Sequence, residues 1–209
     1  MIRRNMAFLS AATLWLSTAH GQVGNNDSII NPNIADEDSL ASVTHLDEGL
    51  VGSLVEGRPF SGATELDALL SGSLSDAQHA EVYAALFLPI NLNTASEEEI
   101  LLIPGMSNRM AHEFEEYRPY TSLEQFRREI GKYVDKDEVA RLEQYVFVPL
   151  DLNSASEDDF ATVPGASNRM VHEFLEYQPY GDMEQFRREI GKYVDEDEVA
   201  RFERYMTIR

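Results

Sequence analysis

A sixty-residue period constrains the fold of this chain more than any other feature. Residues 90–149 align with 150–209 without a gap, and about 37 of the 60 positions are identical. The run from Glu124 to Asp135 recurs unchanged as Glu184 to Asp195. A further shift of sixty brings out a fainter copy at 30–89. There Asn33 falls on Asn93, Leu54 on Phe114, Arg58-Pro59-Phe60 on Arg118-Pro119-Tyr120, and Pro89 on Pro149. Self-similarity at a fixed period means one supersecondary unit repeated, with neighbours burying what a single copy leaves exposed.

The signals inside a copy are helical and short. In 90–149 the start, Ile90 to Asn93, reads as extended. Ser96 with Glu99 makes a capping box that opens a first helix to Ile103, and Pro104-Gly105 stops it. Ser107 caps a second helix with Met110, Phe114 and Tyr117 on one face, ended by Arg118-Pro119. Ser122 with Gln125 opens a third, which buries Leu123, Phe126 and Ile130 and breaks at Gly131. Asp135 with Glu138 opens a fourth, expected to bury Val139, Leu142 and Val146. Copy 150–209 repeats these signals with Ser156/Asp159, Pro164-Gly165, Ser167, Asp182/Gln185, Gly191 and Asp195/Glu198. Copy 30–89 keeps the apolar frame and one late box, Ser75 with Gln78. It carries Thr44-His45 in place of Pro-Gly, so its first hairpin is expected to be degenerate. The expectation is an all-α chain: a tandem array of small units, each of four helices in two hairpins. Helices this short require tertiary packing to exist.

The N-terminus has the layout of a secretory signal. Arg3 and Arg4 precede an apolar stretch from Met6 to Leu16, and Ala19-His20-Gly21 sets small residues before a cleavage at Gln22. That stretch is too short to span a membrane comfortably. The expected organisation is a signal peptide at 1–21, a disordered polar leader at 22–29, a degenerate copy at 30–89, and full copies at 90–149 and 150–209. The mature chain is then exported, periplasmic or extracellular, with no membrane span. It has no cysteine, which excludes disulfides, Cys-ligated zinc and a thiol nucleophile.

The residues from Asn91 to Gly105, repeated from Asp151 to Gly165, resemble the opening of the helix-hairpin-helix domain of ComEA-type competence receptors, and Pro119-Tyr120 resembles a later aromatic segment of that domain. The resemblance covers most of 90–209 and reaches 30–89 through the internal repeat. It implies a unit of two hairpins whose Gly-containing turn contacts the phosphates of double-stranded DNA without reading sequence. Consecutive N–H groups leading into a helix N-terminus do form an anion site. Carried over, the phosphate-binding positions are Gly105, Met106 and Ser107 with Arg109, and Gly165, Ala166 and Ser167 with Arg169. Arg127, Arg128 and Lys132, with Arg187, Arg188 and Lys192, are candidates for a basic face.

Two departures from that pattern bear on partners. The second glycine of the family turn is Ser107 or Ser167 here, and the second hairpin has only Gly131 or Gly191. The chain is also acidic, with 37 Asp and Glu against 17 Lys and Arg for a net charge of −20. Copy 30–89 has ten acids and one base, 90–149 twelve and seven, 150–209 fourteen and seven. Such an excess repels polyanions at long range. The same architecture serves protein contacts in exported proteins, so two functions stand side by side: non-specific DNA-backbone binding, or an acidic protein-interaction scaffold of the cell envelope.

Nothing in the sequence asks for catalysis. His112 with Glu116, and His172 with Glu176, sit at a spacing that begins a metal site but have no third ligand. Asp135 to Glu138 and Asp195 to Glu198 lack the glycine and spacing of a calcium loop and read as helix caps. Ser107 and Ser167 follow a Pro-Gly turn without a nucleophile elbow and also read as caps. Tyr117, Tyr120, Tyr133 and Tyr145 are core or contact residues by their spacing beside Phe, with base stacking as the other use. The expectation is no cofactor, no metal and no enzyme activity.

Overall fold

The computed structural model describes residues 28–209. The expected signal peptide, and the leader up to residue 27, lie outside the described residues. The chain is mostly helical. Its elements run α1 (Glu37–Ala41), α2 (Glu48–Glu56), α3 (Ala63–Leu70), α4 (Asp76–Ala85), β1 (Ile90–Asn91), α5 (Glu97–Leu101), α6 (Asn108–Glu116), α7 (Leu123–Ile130), α8 (Lys136–Glu143), β2 (Val146–Phe147), β3 (Leu150–Asp151), α9 (Glu157–Ala161), α10 (Asn168–Glu176), α11 (Met183–Ile190), α12 (Glu196–Glu203) and β4 (Met206–Thr207). Among the described residues no helix is long and apolar enough to cross a membrane.

Helix starts fall where the cap residues put them. Ser96, Ser107, Ser122 and Asp135 each accept a hydrogen bond from the backbone N–H three residues on, and Ser156, Ser167, Asp182 and Asp195 do the same in the last copy. Satisfying these orphan donors is worth about 1 kcal/mol per helix. The reciprocal half of the box forms at Ser96/Glu99 and Ser156/Asp159. It does not form at Ser122 or Asp135. The Gln125 Oε1 accepts from Thr121 N–H at 2.9 Å instead, and Glu138 is taken by Arg141 at 2.7 Å.

The short strands correct a purely helical expectation. Each copy begins and ends in an extended segment, and the two ends pair in parallel: Ile30 with Leu86, Ile90 with Val146, Leu150 with Met206. Parallel neighbours need a long crossover, and here four helices supply it. Val146 is therefore buried on β2, and α8 stops at Glu143. Of the expected leader only Ser28 and Ile29 are described. Ile29 is buried in the core, because Ile30 is already held by N–H to Ala85 O at 2.8 Å.

An asparagine fixes the middle of each crossover to its start. The Asn93 side chain donates to Tyr120 O at 2.9 Å and accepts from Tyr120 N–H at 2.6 Å. Asn33 makes the same pair of bonds to Phe60, and Asn153 to Tyr180. The residue two positions earlier (Asn31, Asn91 or Asp151) accepts from the backbone N–H of that asparagine and so orients it. The aromatic residue delivered by this bridge is buried in all three copies.

The first turn of copy 30–89, expected to be degenerate, keeps the geometry of the others. His45 has φ 73°, beside 77° at Gly105 and 74° at Gly165. The left-handed region is unfavourable for a side chain with Cβ, and His45 is held there by Glu81 at 2.8 Å.

The copies are not arranged by one repeated step. The buried side chains of 29–148 form one continuous core and those of 147–206 a second. Glu99, besides its own box, accepts from Ala63 N–H at 3.0 Å and so caps α3 of the first copy, whose own N-cap is Gly62. The last copy turns back to the first. Arg204 donates to Ser61 O at 2.9 Å and Pro89 O at 3.0 Å, and Asn31 to Tyr205 Oη at 3.4 Å.

Replacing Asn93 by Ala strands the N–H and C=O of Tyr120 inside the core. The expected loss is about 2–4 kcal/mol, read from denaturant unfolding. Asn93→Asp, which keeps the acceptor and loses the donor, is expected to fall between wild type and Asn93→Ala.

Candidate nucleic-acid interface

The turn after α5 begins at Pro104, which cannot continue a helix, and reverses at Gly105 in the left-handed conformation. Ser107 then caps α6 by accepting from Met110 N–H at 3.3 Å. Gly105, Ser107 and Arg109 are exposed, as are Gly165, Ser167 and Arg169. Three N–H groups here were implied as phosphate donors, and the middle one is taken. Met106 N–H donates to Ile103 O at 2.9 Å, and Ala166 N–H to Val163 O at 3.0 Å. Both are turn bonds that close the reversal, so Met106 and Ala166 are corrected from ligand donors to structural ones. The N–H groups of Gly105 and Ser107 have no acceptor among the described residues.

The turn is anchored from behind by its own copy. Arg141 on α8 donates to Pro104 O at 2.8 Å while Glu138 grips its guanidinium at 2.7 Å on two nitrogens. Arg201 does the same to Pro164 O and Glu198 in the last copy. Arg201 is buried, and a Cβ on Gly165 would stand 2.9 Å from its guanidinium. The sequence reading did not single out Arg141 or Arg201. Their only local signal is the Glu at i−3, which reads as a surface ion pair.

Each base of the candidate basic face is met by a glutamate of its own copy. Arg127 meets Glu143 through two bonds of 2.6 Å, and Arg128 meets Glu129 at 2.8 Å. Lys132 binds the same Glu129. In the last copy Arg187 meets Glu203 at 2.7 and 2.5 Å, Arg188 meets Glu189 at 3.0 Å, and Lys192 binds Glu189. Lys132, with Arg128, holds the Glu129 carboxyl below the usual carboxylate range, and Lys192, with Arg188, does so for Glu189. A depressed carboxyl keeps its partner above its own pKa and releases it only as pH falls through that lowered value. Glu129 and Glu189 are therefore ionised at neutral pH and stand ready to pair with Lys132 and Arg128 and with Lys192 and Arg188. Glu143 and Glu203 lie sixteen residues beyond their arginines, across a hairpin, which is why sequence order did not join them.

Only part of the predicted set is brought together. Lys132 lies 4.8 Å over the Tyr117 ring, whose hydroxyl meets that of Tyr133 at 2.8 Å. In the last copy Lys192 lies 5.1 Å over Tyr177 and Arg169 lies 5.4 Å over Tyr193, and the two tyrosine hydroxyls are 2.9 Å apart. Arg109 makes no ion pair among the described residues. Hydrogen bonding to Tyr117 first, and then to the buried Glu113, pushes the Tyr133 hydroxyl pKa up. Tyr120 and Tyr180 are raised chiefly by burial. Tyr120 and Tyr145 are buried in the core, out of reach of a stacked base.

The remaining candidates resolve into ordinary contacts. His112 and Glu116 stand 3.8 Å apart, and His172 and Glu176 3.5 Å, on exposed helix faces. Among the described residues no group of three or more His, Asp or Glu is placed to hold a metal ion. Comparison with protein families, with curated proteins and with solved structures finds no match to the chain.

If the glutamates mask the basic face, removing them unmasks it. A chain carrying Glu129→Gln, Glu143→Gln, Glu189→Gln and Glu203→Gln is expected to bind duplex DNA at least about tenfold more tightly than wild type at about 50 mM salt, with a steeper salt slope. Equal binding by the two chains, measured by fluorescence anisotropy, would refute the masking.

Proposed function

We propose that this chain is an exported, non-catalytic scaffold that works through protein–protein contacts. In this reading it is a tandem array of three four-helix units of the helix-hairpin-helix type, each closed by the parallel pairing of its two ends. The observation that carries it is the pairing of the basic face. All six candidate bases sit on glutamates of their own copy, in a chain with a net charge of −20. Affinity for the DNA backbone comes from cations free to displace counterions, and here those cations are already neutralised. Spending one N–H of each turn on closing the reversal weakens the phosphate cradle further.

One observation favours the DNA-backbone reading. Arg109 is exposed and unpaired beside the open N–H groups of Gly105 and Ser107. A single titration separates the two. The purified chain is added to labelled random-sequence duplex DNA from about 50 to about 200 mM salt, with Gly105→Asp/Gly165→Asp as control. The scaffold reading expects no binding at about 50 mM salt with tens of micromolar protein. Salt-dependent binding that disappears in the control would overturn it in favour of DNA. Export is checked on the same preparation, where the mature chain is expected to begin at Gln22.

A further inference from the structure

The first two copies show how one copy receives another. The turn of the second copy, from Leu101 to Met106, faces Asp67 on α3 and Asp76 and Ala80 on α4 across a crevice of about 270 Å³. Glu99, just before that turn, locks the contact by capping α3 at Ala63 N–H, 3.0 Å away.

A shift of sixty moves this receiving face onto the second copy, where no described residue covers it. Asp67 becomes Arg127, Asp76 becomes Lys136 and Ala80 becomes Ala140. All three line an open groove of about 650 Å³ between α7 and α8. Its apolar floor includes Val139, which stands where His79 stands in the first copy. The turn that a regular array would seat there belongs to the third copy, residues 161–166. It does not reach the groove, because Arg204 ties the third copy to Ser61 and Pro89 of the first. Among the described residues, one chain therefore holds an empty receiving face and an unused turn.

We propose that two copies of this chain associate by seating the 161–166 turn of each in the α7–α8 groove of the other. The proposal rests on the tandem reading above and names its partner. Charge complementarity selects the occupant. The receiving face has exchanged two acids for Arg127, which Glu143 already engages, and for Lys136, which has no ion-pair partner among the described residues and is the charge left to meet an acidic occupant. The helix that leads into the incoming turn, α9, carries Glu157, Asp158 and Asp159 in its first turn. Asp159 occupies the place of Glu99, the residue that makes the existing contact. The matching groove of the third copy, between α11 and α12, carries Glu196 where Lys136 stands, so each chain offers one groove with a free lysine and one acidic turn, and a reciprocal exchange closes on a two-fold axis. Contacts this small give weak association, with a dissociation constant on the order of 10 μM.

Sedimentation velocity of the purified full chain from about 1 to about 300 μM tests it across that constant. Wild type is expected to pass from monomer to dimer. Ala140→Glu, at an exposed position of α8, and Lys136→Glu are expected to remain monomeric with unchanged circular dichroism. Ala200→Glu, in the matching α11–α12 groove of the third copy, is expected to dimerise as wild type. Mixing Lys136→Glu with Asp158→Lys is expected to restore association. A wild-type chain that stays monomeric throughout, or a dimer indifferent to Ala140→Glu, overturns the proposal and leaves the groove to a different protein. Because the seated turn contains Pro164-Gly165, the DNA titration is repeated on the Ala140→Glu chain, whose substitution lies outside both Pro-Gly turns, so that the two readings fail separately.

Discussion

Each copy depends on a side-chain amide that behaves like a piece of backbone. Asn33, Asn93 and Asn153 each offer one donor and one acceptor to the N–H and C=O of an aromatic residue twenty-seven positions on. An extended segment whose neighbour has its own backbone polar groups to satisfy would ordinarily need a strand. The asparagine supplies that pairing at a single point, and the preceding Asn or Asp aims it. With the crossover pinned there, Phe60, Tyr120 or Tyr180 is delivered into the core and the hairpins on either side can close. The parallel pairing of the copy's two ends then seals a ring of helices too short to persist alone.

That dependence explains which parts of the fold were legible. Helix starts were, because capping is local: Ser96, Ser107, Ser122 and Asp135 act on N–H groups three residues away. The turns were, because Pro-Gly says the same thing in any context. The asparagines stood out in the repeat, but their role is a contact across twenty-seven residues, and spacing does not reveal such a partner. The ends of the copies fared likewise. Val146 continues the apolar periodicity of α8, so it read as helical until the pairing with Ile90 claimed it for a strand. At the candidate site the bases were legible and their neutralisation was not. Arg127 and Glu143 look independent in sequence and meet only because the chain reverses between α7 and α8, where Gly131 ends α7. A Cβ there would come within 2.6 Å of Arg127 O.

The repeat is also less uniform in space than in sequence, and small exchanges account for it. Gly62 replaces the serine or aspartate cap of the later copies, and Glu99 reaches across to cap that helix instead. Where Ser122 supplies its own cap, the third copy has no such foothold on the second. Arg204, which falls on Gln144 one copy back, fastens the third copy to the first. Two side-chain exchanges thus go with different neighbours for the second and third copies while every copy keeps its internal frame.

The turn itself shows how far geometry and function can separate. The left-handed residue is Gly105 in one copy, Gly165 in the next and His45 in the first, with nearly the same φ. Copy 30–89 has ten acids and a single base, so its turn has no electrostatic claim on a phosphate. It keeps the conformation because the chain must reverse there to lay one helix on the next. A partner from the same copy then holds it: the exposed Glu81 on His45, the half-buried Arg141 on Pro104 O and the buried Arg201 on Pro164 O. A glycine in such a turn is therefore accounted for by packing before any ligand is invoked. What separates a phosphate site from a structural reversal is whether the N–H groups and nearby cations remain unspent; in this chain one N–H of each Pro-Gly turn and the six bases of α7, α11 and the residues after them are engaged within their own copy, while the N–H groups of Gly105 and Ser107 are left open among the described residues.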